Sequence, residues 1–141
     1  MDAAALASRL LFAAAWLAGR LPLRTQQALG AALGRFAYRR NTREAKVARR
    51  NLELLSTGSD PADIEQAVRT VLEQTGKNAF ETLRIWTRPR ADNLALVHRV
   101  HGLGHLEAAL AAGRGVIVAA PHYGNWELLI EYLAARGPFS L

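Results

Sequence analysis

Cysteine is absent from the 141 residues. That excludes disulfides, thiolate zinc sites and a cysteine nucleophile. Acidic charge is missing where basic charge is dense. Between Arg20 and Arg50 the single carboxylate Glu44 faces nine basic residues, while the rest of the chain nearly balances within a net charge of +6. Such a block points to an anionic surface, whether membrane, nucleic acid or an acidic protein partner, against the plainer alternative of a solvated helix face. Aromatics are few, and within the arginine-rich stretch only Phe36 and Tyr38 interleave with the cations. No standard nucleic-acid-binding motif accompanies them, which weighs against such a module. A long uninterrupted apolar run is also lacking. Ala3 to Gly19, broken by Arg9, would make a helix of about 25 Å, short of the roughly 30 Å hydrocarbon core of a bilayer.

Half of the residues are nonetheless hydrophobic, which sets the chain apart from disordered sequences. The Ala/Leu-rich stretch with Phe12 and Trp16 suits a helix lying in a membrane interface, its arginine-rich flank held on the cytoplasmic side. A cleaved signal peptide is the rival, but Asp2 and the single Arg9 make a poor leader for it. Residues 1–21 are therefore read as a retained, membrane-associating helix.

Residues 22–90 read as a basic helical region. After Pro22, Leu29, Ala32, Leu33, Phe36 and Ala37 share one helical face and predict the buried side of a helix. Gly30 and Gly34 form a G-x-x-x-G, which permits close helix packing. Asn41, three residues before Glu44, resembles the start of a second helix reaching Leu55. Asp60-Pro61 predicts a further helix, with Asp60 as cap and proline at its first position. Along it Ile64, Ala67, Val68, Val71, Leu72, Thr75, Ala79, Leu83 and Trp86 mark a core-facing stripe, weakened by Gly76, before Pro89 stops it.

From residue 91 the pattern changes to β-α-β-α. Strands are expected at Leu96–His101 and Val116–Ala120, helices at Leu106–Ala112 and Leu128–Ala135, and a further strand from Phe139. Apolar residues in succession at Val116–Ala120 read as a strand covered on both faces. The expected fold class is thus α/β: amino-terminal helices, then the start of a mainly parallel sheet left incomplete at Leu141.

The segment Pro121-His122-Tyr123-Gly124-Asn125-Trp126-Glu127 follows that apolar run. Sites in open α/β sheets form outside the carboxyl ends of strands. With His122 in the turn and Glu127 in the first helical turn, the carboxylate can reach a ring nitrogen, giving a general base with its orienting partner. Gly124 allows a tight turn, Asn125 suits a helix cap, and Glu127 is favoured by the helix dipole. His98, His101 and His105 invite a metal reading, but on a strand His98 and His101 would point to opposite faces.

The run from Gly102 to Ile117 leading into this heptapeptide resembles the lipid A biosynthesis late acyltransferases, the lauroyl and myristoyl transferases. These are related to the wider glycerolipid acyltransferases by an H-x-x-x-x-D/E motif, here His122 to Glu127. Val47-Ala48-Arg49-Arg50-Asn51-Leu52-Glu53 and the amphipathic helix after Pro61 fit the amino-terminal half of that family. The resemblance implies transfer of a fatty acyl group from an acyl-carrier-protein thioester to a hydroxyl of a lipid A precursor or related glycolipid. It implies no metal and no organic cofactor, His122 as general base and Glu127 as its orienting carboxylate. Gly124, Asn125 and Trp126 become candidate substrate contacts, with Asn125 or nearby N–H groups serving the oxyanion. It also implies the cytoplasmic face of a bacterial inner membrane. Family members are longer, with later arginine- and glycine-bearing blocks absent here, so a catalytically incompetent membrane-associated fragment is the alternative expectation.

Overall fold

The computed structural model describes residues 2–56, 58–121, 123–138 and 140, without the side chain of Ala3. Among them are seven helices: α1 (Ala3–Arg20), α2 (Leu23–Arg39), α3 (Arg43–Leu55), α4 (Pro61–Thr87), α5 (Arg90–Leu94), α6 (Leu103–Ala111) and α7 (Trp126–Ala134). They fall into two compact units, Met1–Arg88 and Pro89–Leu141.

In the first unit α4 is the spine on which α1, α2 and α3 pack. Its start follows from local chemistry: Pro61 occupies the first turn, and the Asp60 carboxylate accepts the Ala62 N–H at 2.8 Å. It ends where Arg88, constrained by Pro89, becomes extended. Asp2 caps α1 in the same way, accepting from the Ala4 N–H at 3.3 Å. Pro22 supplies no N–H to continue α1, and α2 leaves at a 120° bend. Thr42 occupies the cap position of α3, one residue later than expected, because Asn41 takes a left-handed turn conformation (φ 46°).

The predicted buried face of α2 is reversed. Leu29, Leu33 and Phe36 are exposed, whereas Gln26, Gly30, Ala31 and Gly34 are buried. The cause is backbone proximity. A Cβ added to Gly30 would lie 2.6 Å from Lys77 Cα, and one added to Gly34 would lie 2.6 Å from Glu73 Cα. Gly76, which weakened the helical pattern of α4, is the opposing notch, its added Cβ meeting the Gly30 carbonyl. Dispersion between closely packed backbones replaces the burial of large side chains at this crossing. Below it a small core of Ala45, Val68 and Leu72 is flanked by Tyr38, Ala48, Leu52 and Ile64. The stripe expected on α4 is therefore only partly interior, since Val68 and Leu72 are buried while Val71 and Trp86 are exposed.

The carboxyl ends of α1 and α4 lock together. Arg88 donates from Nε to the Gly19 carbonyl and from Nη2 to that of Arg20, both at 3.1 Å. Arg20 donates from Nη1 to the Thr87 carbonyl at 3.1 Å. The buried Gln26 amide donates to the Ala18 and Leu21 carbonyls at 2.9 and 3.1 Å. These donors satisfy carbonyls that a helix end leaves without intrahelical partners.

The expected α/β class does not hold. Among the described residues there is no strand: Leu96 closes a turn after α5, residues 97–100 are irregular, and so are Val116–Ala120. A strand exists only through a ladder with a neighbour, and a short apolar segment without one gains neither hydrogen bonds nor cross-strand packing. Val116–Ala120 are exposed, Ile117 almost fully. The start of the strand expected from Phe139 lies outside the described residues. Helices α6 and α7 do form where helices are expected, starting three and two residues earlier and each ending one residue earlier. Among described residues of this unit no apolar side chain is fully buried.

Candidate active site

The heptapeptide residues that can be placed converge on the start of α7. Gly124 is left-handed (φ 67°) and turns the chain into the helix. Asn125 is the N-cap, its Oδ1 accepting the Leu128 N–H at 3.4 Å. Trp126 opens the helix, partly exposed, and Glu127 sits in the first turn, half-buried. A carboxylate there is stabilised by the positive end of the helix dipole. His122, the expected base, lies outside the described residues. Tyr123 is 90% exposed.

Asn125 also lines a cavity of about 360 Å³, which it shares with Arg99, His101 and Tyr132. Arg99 carried no sequence signal, being one cation in a segment expected to be a strand. Its place beside α7 depends on a turn that local patterning does not fix. His98, His101 and His105 are all exposed. Among the described residues no three His, Asp or Glu side chains gather as a metal site requires.

The basic block divides into two populations. Arg49 pairs with Glu65 through Nε and through Nη2, the latter at 3.0 Å, and Tyr38 donates its hydroxyl to the same carboxylate at 3.0 Å. The Arg49 hydrogen bond, reinforced by Tyr38, holds the Glu65 carboxyl below its ordinary range. Glu73 is likewise lowered, first by its hydrogen bond from Arg69 and then by the charge of Arg35. By contrast Arg24, Arg39, Arg43 and Lys46 are exposed and make no ion pair among the described residues. On the same unit α1 exposes Leu10, Leu11, Phe12 and Leu17, and Arg20 stacks on Trp16 with 4.4 Å to the ring centre. Among the described residues no single helix is long and apolar enough to cross a membrane, although the bent pair α1–α2 passes by length and composition.

Residues 4–140 match the family described as bacterial lipid A biosynthesis acyltransferase. The phosphatidylinositol mannoside acyltransferase of Mycolicibacterium smegmatis is 34% identical over 134 residues, covering 92% of this chain and 42% of that protein. The lipid A biosynthesis lauroyltransferase of Escherichia coli is 31% identical over 123 residues, 87% of this chain and 40% of that protein. A phosphatidylinositol mannoside acyltransferase of Mycobacterium tuberculosis is 43% identical over 68 residues, 46% of this chain and 21% of that protein. The chain thus spans about two-fifths of the length of the first two relatives. No solved structure matches it.

Proposed function

The chain belongs to the bacterial lipid A biosynthesis acyltransferase family, and on that premise we propose that it moves a fatty acyl group from an acyl-carrier-protein thioester to a hydroxyl of a lipid A precursor or related glycolipid. The observation that carries this reading is the start of α7: Asn125 caps the helix and Glu127 stands in its first turn, five residues after His122 in the sequence. In this mechanism His122 takes the proton as the acceptor oxygen attacks the thioester carbonyl. The C–O bond forms, the C–S bond breaks, and the proton passes to the departing thiolate. Glu127 fixes the imidazole tautomer and stabilises the imidazolium, general-base assistance of this kind contributing about 10²–10⁴-fold. Gly124, Asn125 and Trp126 are assigned to substrate contact, with helix N–H groups available to the oxyanion.

The apolar outer faces of α1 and α2, with Arg24, Arg39, Arg43 and Lys46, exposed and without an ion pair among the described residues, support seating on an anionic membrane at the cytoplasmic face of a bacterial inner membrane. The same cations suit an acidic acyl carrier protein. An acyl-transfer assay with carrier-protein thioester and lipid A precursor or phosphatidylinositol mannoside tests the enzyme reading, which fails if the wild type turns over no faster than His122→Ala. A second reading, a membrane-associated segment without turnover of its own, is favoured by one observation: among described residues, Pro89–Leu141 buries no apolar side chain fully.

A further inference from the structure

The cavity beside α7 has two characters. Val97 and Val100 on one side and Leu128 and Leu129 on the other make apolar walls, whereas Arg99, His101, Asn125 and Tyr132 bring polar groups to it. Its volume of about 360 Å³ falls at the lower end of the range of small-ligand pockets, roughly 300–1,000 Å³. Arg99 is exposed and makes no ion pair among the described residues, and no described lining residue is a carboxylate. A guanidinium stays charged at every physiological pH and presents forked donors suited to phosphate. Asn125 places the positive end of α7 at the same cavity.

We propose that this cavity seats a phosphate ester carrying an acyl chain, with Arg99 binding the phosphate and the valine and leucine walls holding the first carbons of the chain. For its ligand this assignment rests on the acyl-transfer reading, in which the acceptor has that chemistry. The acceptor glycolipid carries phosphate beside acyl chains, whereas in the donor thioester a whole pantetheine arm separates the phosphate from the acyl group. A phosphate a short distance from apolar carbon matches the arrangement of Arg99 against the walls of the cavity. Arg99 is thus a substrate-binding residue rather than one that acts on the reacting carbonyl.

The test is a nuclear magnetic resonance titration of the 141-residue chain with three soluble probes: dihexanoyl phosphatidylinositol, S-hexanoyl phosphopantetheine, and uncharged dihexanoylglycerol. Amides of residues 97–101 and 125–129 are expected to shift with dihexanoyl phosphatidylinositol, whereas a stronger response to S-hexanoyl phosphopantetheine would overturn the acceptor as the source of the phosphate. Arg99→Gln should weaken that binding about tenfold or more while leaving the uncharged probe unchanged, and Arg99→Lys should restore part of it. Val100→Asp, which sets a like charge in an exposed wall, should weaken it as well. Wild-type affinity of Arg99→Gln for both phosphate probes, or shifts confined to residues 39–46, overturns the assignment. Phosphate-dependent binding here without acyl transfer would leave the cavity assigned and remove the enzyme reading. Turnover with an Arg99→Gln KM equal to wild type would do the reverse.

Discussion

Arg20 and Arg88 close each other's helices: Arg88 donates to the last carbonyls of α1, and Arg20 donates to the Thr87 carbonyl at the end of α4. Each cation also lies where the negative end of the opposing helix dipole favours it. Two chain segments 67 to 69 positions apart are tied at their carboxyl ends without a salt bridge.

Arg88→Ala should therefore lower stability by about 1–3 kcal/mol, since partly buried carbonyls lose charged donors. The double variant Arg20→Ala/Arg88→Ala should cost measurably less or more than the sum of the singles, because the two clasps share one junction. Urea unfolding of the four proteins measures this, and strict additivity would show the clasps to be independent.

Gly30→Ala and Gly76→Ala test the crossing of α2 and α4. In an exposed helix the change would stabilise by up to about 1 kcal/mol. Here the added methyl meets opposing backbone, and overpacking should cost about 1–3 kcal/mol instead. A raised denaturation midpoint in either variant would contradict the close contact.

Glu65 makes part of the stability pH-dependent. Its carboxyl is lowered in the folded chain, chiefly by Arg49, so its contribution is complete above the unfolded value of about 4.3 and disappears as pH falls through the lower folded value. Wild type should be more stable than Glu65→Gln at pH 7, with the gap closing toward pH 3. A gap of constant size between those pH values would refute the linkage.

The exposed cations of α2 and α3 predict salt-sensitive membrane binding. Replacing Arg39, Arg43 and Lys46 with glutamine should weaken partition onto phosphatidylglycerol vesicles by roughly 100-fold at low salt, at about 1 kcal/mol per basic residue. The difference should shrink as salt rises. Sedimentation with vesicles reads the effect; binding indifferent to both salt and substitution, or a preference for DNA, would remove the surface reading.

What could be read from the sequence was what depends on near neighbours. Asp60-Pro61, the stop at Pro89 and the Asn125 cap each involve groups within about a turn of one another, and each is found in the structure. The face of α2 was different in kind. Periodicity groups Leu29, Leu33 and Phe36 together, yet which face turns inward depends on Gly76, far along the chain. The expected strands failed for the same reason, because pairing is a relation with another segment and Val116–Ala120 has none among the described residues. Asn41 was misplaced by one position because its left-handed turn, rather than its side chain, precedes α3. At the candidate site, Gly124, Asn125 and Glu127 were placed by local chemistry, whereas Arg99 came to share a cavity with Asn125 through the path of the chain.

The arrangement of α2 separates two properties that most amphipathic helices combine. Its glycines hold the bundle together, while Leu29, Leu33 and Phe36 point the other way and contribute little to that packing. Substitutions on the outer face can therefore retune which surface the protein adheres to with little effect on folding, and those on the inner face can weaken folding while sparing adhesion. One short helix thus carries two independently adjustable settings.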